Sequence, residues 1–290
     1  MLSHLGRLPD SHWFAGRALD RNLAGGDLYR CHRCRLKFRH PVHEAAMYDQ
    51  LYDNAAVATW SSDANRIDWN LVTDYLRKNL PGGGRVLDFG CYSGGLLARL
   101  GAGYERHGVE INQAAARIAS ERADARIWAS IDDIPAHLRF DAVIVSDVIE
   151  HMRNPLQTIE RISSHLTERG MLLLTTGDAD NPLWEKFGAN WWYCFYPEHI
   201  SFLSRQWLEF LHDRTGLSIL HCENFRYRQP GIAQRLAGVL LAHAYGRFAK
   251  PYLQCGRAIT KMLGRPGLRS VPGNGVSADH LLIVITRATE

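Results

Sequence analysis

From residue 84 to the C-terminus, short apolar runs alternate with stretches whose apolar positions recur at helical spacing. Val86 to Phe89, Phe140 to Ser146, Gly170 to Thr176 and Asp279 to Arg287 carry little polar interruption, the pattern of strands covered on both faces in a parallel sheet. His107 to Glu110, Arg126 to Ala129 and Leu217 to Phe225 complete the strand set. Helices are predicted from Leu96 to Leu100, Gln113 to Arg122, Pro155 to Leu166 and Arg205 to Arg214. Asn154 suits the cap and Pro155 the first turn of the third helix, and Gly216 closes the fourth. This alternation predicts an α/β fold built on a doubly wound parallel sheet.

Upstream the pattern changes. Residues 46 to 80 first mix aromatic and polar side chains (Met47-Tyr48, Leu51-Tyr52, Trp60, Trp69), then run helically from Ile67 to Leu80 until Pro81-Gly-Gly-Gly84 stops them. Residues 1 to 45 hold Cys31-His-Arg-Cys34 inside Leu28 to Phe38, which reads as a β-hairpin and as half of a zinc ribbon. His40, His43, His4 or His12 would have to supply the missing ligands, so zinc is the less favoured reading of Cys31 and Cys34. The expected organisation is an extension over 1–45, a domain formed by 46–230 and 276–290, and a helical insertion over 231–275.

With 290 residues, 46% of them hydrophobic, the chain can bury one large core plus an extension. No apolar run approaches the roughly 18 residues of a membrane span, and the opening MLSHLGRLPD lacks the apolar centre of a signal peptide. Six cysteines with only one close pair do not form a disulfide framework, so a reduced, cytoplasmic protein is expected. The net charge of +4 is unevenly placed. Arg235, Arg247, Lys250, Arg257, Lys261, Arg265 and Arg269 fall in the insertion with no acid, leaving the remainder net acidic; Arg30, Arg33, Arg35, Lys37 and Arg39 form a second acid-free cluster.

The chemistry centres on Gly84-Arg-Val-Leu-Asp-Phe-Gly-Cys-Tyr-Ser-Gly-Gly95. Gly90, Gly94 and Gly95 permit positive φ and close approach of a ligand, and free amides at the next helix start favour an anionic group. A dinucleotide fingerprint would need glycine where Tyr92 stands. Asp88 would repel a phosphate but suits a cation, and Glu110, 22 residues later, can accept both hydroxyls of a ribose. A ligand with an ammonium, a carboxylate and a ribose fits.

At these residues the chain resembles the class I S-adenosylmethionine (SAM) dependent methyltransferases. Ser146-Asp-Val-Ile-Glu-His-Met152 is similar to the V-I-E-H motif, and Pro197-Glu-His-Ile-Ser-Phe202 to the P-x-H-I-x-x-[FY] motif, of members that modify small molecules, sugars and RNA ends. The resemblance covers roughly residues 28 to 228 and the last strand. It implies a seven-stranded Rossmann-like sheet with the last strand antiparallel, and SAM as cofactor. Asp88, Gly90, Cys91, Gly94, Glu110, Ile111, Ser146 and Tyr52 are then its expected contacts, with Ser130 beside Ala129 and Ile131 framing the adenine and Tyr52 or Tyr48 meeting the carboxylate. Many relatives carry two C-x-x-C pairs at the N-terminus, so the single pair here reads as a degenerate hairpin.

Methyl transfer from a sulfonium is an in-line displacement with a neutral leaving group, so a hydroxyl acceptor mainly needs alignment and a base. His199, beside Glu198, is the first candidate; His151 follows, with Glu150 beside it. Asp147, Glu150 and His151 share a face if they form a helical turn, and with His199 they could hold a divalent cation. Small-RNA 3′-end methyltransferases and some quinone or sugar O-methyltransferases use a similar acid-x-x-Glu-His arrangement with a metal. The plainer alternative is that Glu150 and His151 brace the helix. Trp184, Trp191, Trp192, Tyr193, Phe195 and Tyr196 offer flat faces to a sugar or ring, or pack beneath a lid.

The expected reaction is O-methylation of a glycan, sugar intermediate or similar polyhydroxylated metabolite, with the basic insertion holding the protein near a membrane or a lipid-linked acceptor. RNA methylation, with both basic clusters tracking phosphates, is the alternative activity. A SAM-binding scaffold without catalysis is the alternative from another class. The pattern leaves the oligomeric state open.

Overall fold

The computed structural model describes residues 1–14, 17–53, 66–227, 230–248, 251–252, 255 and 277–287. The chain opens with β1 (Leu2–Arg7), the β2 (Ser11–Phe14) and β3 (Arg17–Leu23) hairpin, β4 (Asp27–Cys31) and β5 (Lys37–His40), followed by α1 (Ala45–Asp53) and α2 (Ile67–Asn79). The sheet proper is built from β6 (Gly84–Phe89), β7 (Tyr104–Val109), β8 (Arg126–Trp128), β9 (Phe140–Ser146) and β10 (Leu166–Gly177), with α3 (Gln113–Ala123) and α4 (Pro155–Ser163) between them. Then come α5 (Pro182–Phe187), β11 (Ser201–Phe202), α6 (Arg205–Thr215), β12 (Ser218–Phe225), α7 (Ile232–Arg247) and β13 (His280–Thr286).

Seven strands form one sheet in the order β12-β13-β10-β9-β6-β7-β8, with β13 antiparallel to both neighbours. The apolar runs behave as expected of strands covered twice. Along β9, Val143 and Val145 enter the core on one face, while Ala142 and Ile144 enter the core on the other. Helix boundaries follow side-chain caps: Asn112 accepts from the Ala115 amide, Asn154 from Gln157 and Ser204 from Trp207, and Gly216 ends α6 in the left-handed conformation. Two boundaries differ from expectation. Leu96 to Leu100 gives a single 3-10 turn, Leu97–Arg99, because Leu96, Leu97 and Leu100 are all buried and Gly101 follows at once. The helix from Pro155 stops at Ser163, because Leu166 already pairs with Phe140 in the sheet.

The extension is tied into the same body. β4 and β5 form the expected hairpin, with Cys31 and Cys34 at its turn. β5 then pairs with β11, giving a second sheet in the order β1-β4-β5-β11. The basic cluster is only partly a free surface: Lys37 and Arg39 are 3% and 2% exposed. Lys37 Nζ donates to the Ala179 carbonyl and to Glu185, both at 2.5 Å. Arg39 Nε donates to the His199 carbonyl at 3.0 Å, Nη2 to those of Cys194 and Tyr196 at 2.9 and 3.0 Å, and Nη1 to that of Gly25. One guanidinium thus fixes three carbonyls of the segment that carries His199.

In the insertion, α7 packs through Ala242 and Tyr245, whose ring meets Phe187 at 5.5 Å. Ile232, Leu236 and Leu240 face outward, 78%, 62% and 71% exposed. Trp60 and the cations Lys250, Arg257, Lys261, Arg265 and Arg269 lie outside the described residues.

Arg39→Ala removes the guanidinium donors from four carbonyls, three of them in buried bonds, and it should destabilise the fold by roughly 2–4 kcal/mol. Denaturant unfolding measures this; an unchanged midpoint would contradict the clamp.

Candidate functional site

A cavity of about 870 Å³ opens at the carboxyl ends of the parallel strands. This is the edge where open α/β sheets bind ligands. Its lining comes from the turns after β6, β7 and β9, from α1, from residues 192–200, from Tyr227 beyond β12 and from His280 at the start of β13.

The first turn explains how the chain does without a glycine at 92. Tyr92 takes φ 46°, a left-handed conformation that a non-glycine residue adopts only with strain. Its amide then donates to Glu110 Oε2 at 2.9 Å, while the Asn112 amide donates to Oε1 at 2.7 Å. Gly90 and Gly94 are required: at φ 83° and 72°, an added Cβ would lie 2.6 Å from Val148 Cγ2 and 2.8 Å from Ala119 Cα. Asp88 closes β6 inside the cavity, its carboxyl pushed up to about 7 by burial first and then by Glu110. Arg66 opposes that rise, and among the described residues no hydrogen bond offsets it. Burial also raises Glu110, against the pull of its backbone donors.

Most expected cofactor contacts line this cavity: Asp88, Gly90, Cys91, Glu110, Ile111, Ser146 and Tyr52. Ile111 stands half exposed, an apolar surface beside Asn112. Gly94 shapes the turn without lining the cavity. Ser130 does not line it either; its hydroxyl caps the turn at Ile131–Asp133 in a box with Asp133. Tyr48 and Tyr52 both line the cavity, Tyr48 donating to the Pro197 carbonyl at 3.2 Å and Tyr52 lying 2.9 Å from His151 Nδ1.

Another part of the cavity gathers Glu150, His151 and His199. Glu150 is buried, accepting from the Tyr193 hydroxyl at 2.5 Å and from Thr176 at 3.0 Å, and burial raises its carboxyl. His199 Nδ1 lies 2.9 Å from the Tyr193 carbonyl, which can only accept, so Nδ1 carries the proton and Nε2 the lone pair. Burial above all, then His151 and Arg39, hold His199 well below the usual imidazole range. Burial likewise lowers His151, whose ring meets that of His199 at 5.1 Å. Ligand atoms of Glu150, His151 and His199 all lie within 4.8 Å of one another, a set that could hold a metal ion.

Three expected metal ligands stand apart from this set. Asp147 adopts φ 51° ahead of the 3-10 turn Ile149–His151, so it does not share the face of Glu150 and His151. Its Oδ2 instead accepts from Arg66 at 2.9 Å and from the Tyr227 hydroxyl, and its carboxyl is pushed up to about 6 by burial and then Asp68. Cys31 and Cys34 offer two ligands in the hairpin turn, and among the described residues neither joins a group of three or more ligand-type side chains. The aromatic set divides: Trp184 and Trp191 are core, whereas Trp192, Tyr193 and Tyr196 line the cavity.

Arg66 and His280 line the cavity without having been singled out in the sequence. Arg66 also pairs with Asp68 at 2.6 Å and lies over the rings of Trp69 and Tyr227. An arginine just ahead of a helix carries no motif. Only the acid-rich loops, which need a cation nearby, could have pointed to it.

Residues 64–222, more than half of the chain, match the family model described as a methyltransferase domain. A ubiquinone biosynthesis O-methyltransferase from Bradyrhizobium diazoefficiens is 33% identical over 107 residues, 34% of this chain and 42% of that protein, so the match spans about two fifths of the relative. Among solved structures, magnesium protoporphyrin IX methyltransferase from Synechocystis PCC 6803 with bound S-adenosylhomocysteine has a TM-score of 0.54 at 13% identity, covering 84% of this chain and 100% of that one. The N-methyltransferase NodS from Bradyrhizobium japonicum WM9, in complex with S-adenosylhomocysteine, has a TM-score of 0.51 at 14% identity, covering 84% and 98%. The chain belongs to the methyltransferase-domain family, with the seven-stranded Rossmann-like fold of the class I, SAM-dependent enzymes.

Proposed function

We propose that this methyltransferase moves the methyl of SAM to a hydroxyl of a small polyhydroxylated acceptor, a glycan or sugar intermediate among them, with a cavity histidine as base. One observation carries the reading: a single cavity joins an acid-lined half, shaped by the Gly90 turn and Glu110, to a half walled by Trp192, Tyr193, Tyr196 and the imidazoles. Its volume is near the upper end of ordinary ligand sites, about 300–1,000 Å³, which suits a cofactor with an acceptor beside it. Acceptor oxygen attacks the methyl carbon as the carbon–sulfur bond breaks, the thioether leaves neutral, and the hydroxyl proton passes to imidazole. The aromatic wall suits the flat face of a sugar or ring. Acceptor identity is not set by the fold; the two solved relatives above are named for a porphyrin and for N-methylation.

RNA is a weaker fit, because Lys37 and Arg39 of the first basic cluster are buried and bonded. A divalent cation on Glu150, His151 and His199 is the second reading, favoured by their convergence. Against it, both Glu150 oxygens already accept hydrogen bonds and Asp147 is committed to Arg66. Turnover should survive exhaustive dialysis against a chelator; a loss restored by manganese or magnesium would install the metal.

No described helix is long and apolar enough to cross a membrane. α7 instead shows Ile232, Leu236 and Leu240 on one exposed stripe, with Arg235 and Arg247 also exposed, the composition of a helix lying in an anionic lipid interface. The protein should sediment with phosphatidylglycerol vesicles and not with phosphatidylcholine ones, and a Leu236→Asp/Leu240→Asp variant should bind at least fivefold more weakly. Equal binding by variant and parent would remove the membrane from the account.

Cofactor binding should depend on pH through Asp88. Its raised carboxyl is neutral below about pH 7 and ionised above, and a ligand ammonium favours the ionised form. Affinity for S-adenosylhomocysteine therefore falls with acid, about tenfold between pH 8 and pH 6. Calorimetry across that range should show the slope, and Asp88→Asn should flatten it. A pH-independent affinity in the parent would mean that Asp88 does not face the ligand's cation.

A further inference from the structure

Because β13 runs antiparallel to β10, its first residue, not its last, reaches the ligand edge of the sheet, and His280 lies opposite Gly177 there. The imidazole lines the cavity. Its Nδ1 lies 2.9 Å from Asp279 Oδ1, and the other oxygen of that carboxylate accepts from Trp192 Nε1 at 3.0 Å. Asp279 is buried, and the bonds of its two oxygens to His280 and Trp192 hold the carboxylate in place. Tyr227, Phe225, Tyr193 and Trp192 box the ring, Tyr227 edge-on at 4.4 Å. Among the described residues nothing bonds Nε2, and that atom is not among the sealed, unpartnered ones. A carboxylate on Nδ1–H leaves the Nε2 lone pair for a ligand, and it stabilises the imidazolium once a proton arrives.

His199 differs in the property a base needs. Its Nδ1 meets a neutral carbonyl, Arg39 bonds its own backbone carbonyl, and His151 lies against its ring. Its nearest carboxylate, Glu150, comes within 4.8 Å but already accepts from Tyr193 and Thr176, so no carboxylate is bonded to the His199 ring. The groups around His280 are of opposite character: Asp279 on its own strand, Asp147 and Glu150 after β9, whose carboxyls its charge would lower, and the hydroxyls of Tyr193 and Tyr227.

We propose that His280, oriented by Asp279, is the residue that takes the acceptor's hydroxyl proton, with His199 and His151 remaining neutral and positioning the acceptor. This rests on the methyl-transfer reading. In the step, oxygen bonds to the methyl carbon, the carbon–sulfur pair returns to sulfur, and the proton moves from oxygen to His280 Nε2. Nothing else is consumed.

Long-range proton–nitrogen NMR of the full-length protein with bound S-adenosylhomocysteine tests the assignment. At pH 8, His280 should carry its proton on Nδ1. Asp279→Asn, which replaces one acceptor oxygen with a donor nitrogen, should disturb that tautomer and leave the tautomer of His199 in place. The opposite tautomer, or one indifferent to Asp279→Asn, would overturn the proposal. With tritiated SAM and a filtered small-molecule extract as acceptor pool, H280Q should lose at least 100-fold in turnover and H199Q less than tenfold, with S-adenosylhomocysteine affinity unchanged in both. The reverse order would equally overturn it. A wild type that binds the cofactor product yet labels nothing would instead remove the small-molecule acceptor of the proposed function.

Discussion

Carboxylates crowded around one guanidinium govern this molecule. Asp88, Glu110, Asp147 and Glu150 line a single cavity, Asp68 stands behind Arg66, and burial raises the carboxyls of all four lining acids. Arg66 offsets only part of this, through Asp68 and Asp147. Such a cluster is unfavourable when buried alone and becomes favourable when a cation enters. For Asp88 the sign is definite: raised above its unfolded value, it adds stability below its unfolded pKa, and that stability is lost as pH rises through about 7. A bound cationic ligand would return what the ionised form lacks. The charge of the cofactor is thus written into the protein as an electrostatic deficit.

The rest of the fold positions groups around that deficit. Parallel strands bring the turns after β6, β7 and β9 to one edge, and the antiparallel return of β13 brings Asp279 and His280 to the same edge from the opposite direction. β5 closes on β11, and Arg39 holds the carbonyls of residues 194, 196 and 199, so the extension forms part of the cavity's support. This wall of the cavity is held in place because its backbone is bonded from behind.

The parallel strands were legible because they are apolar on both faces, and the cofactor turn because glycine and acid at fixed spacing have few other uses. Tyr92 stands where a dinucleotide fingerprint would need glycine, yet it supplies the left-handed turn itself, at the expense of strain. What the sequence hid depends on contacts between distant segments. Asp147 turns away from Glu150 because Arg66, 81 residues earlier, captures it. Lys37 and Arg39 read as surface charge but find their carbonyls more than 140 residues downstream. His280 was invisible for a different reason. One histidine opening an apolar strand carries no motif, and its meaning comes only from the direction of that strand.

Calorimetry of SAM and S-adenosylhomocysteine with wild type and Glu110→Ala is the most direct measurement of the central claim, that the acid-lined turn is the cofactor site. Wild type should bind both, and the variant should lose at least tenfold in each while its ligand-free unfolding temperature stays within a few degrees. Equal affinity in the two proteins, or no binding in wild type, would contradict the account.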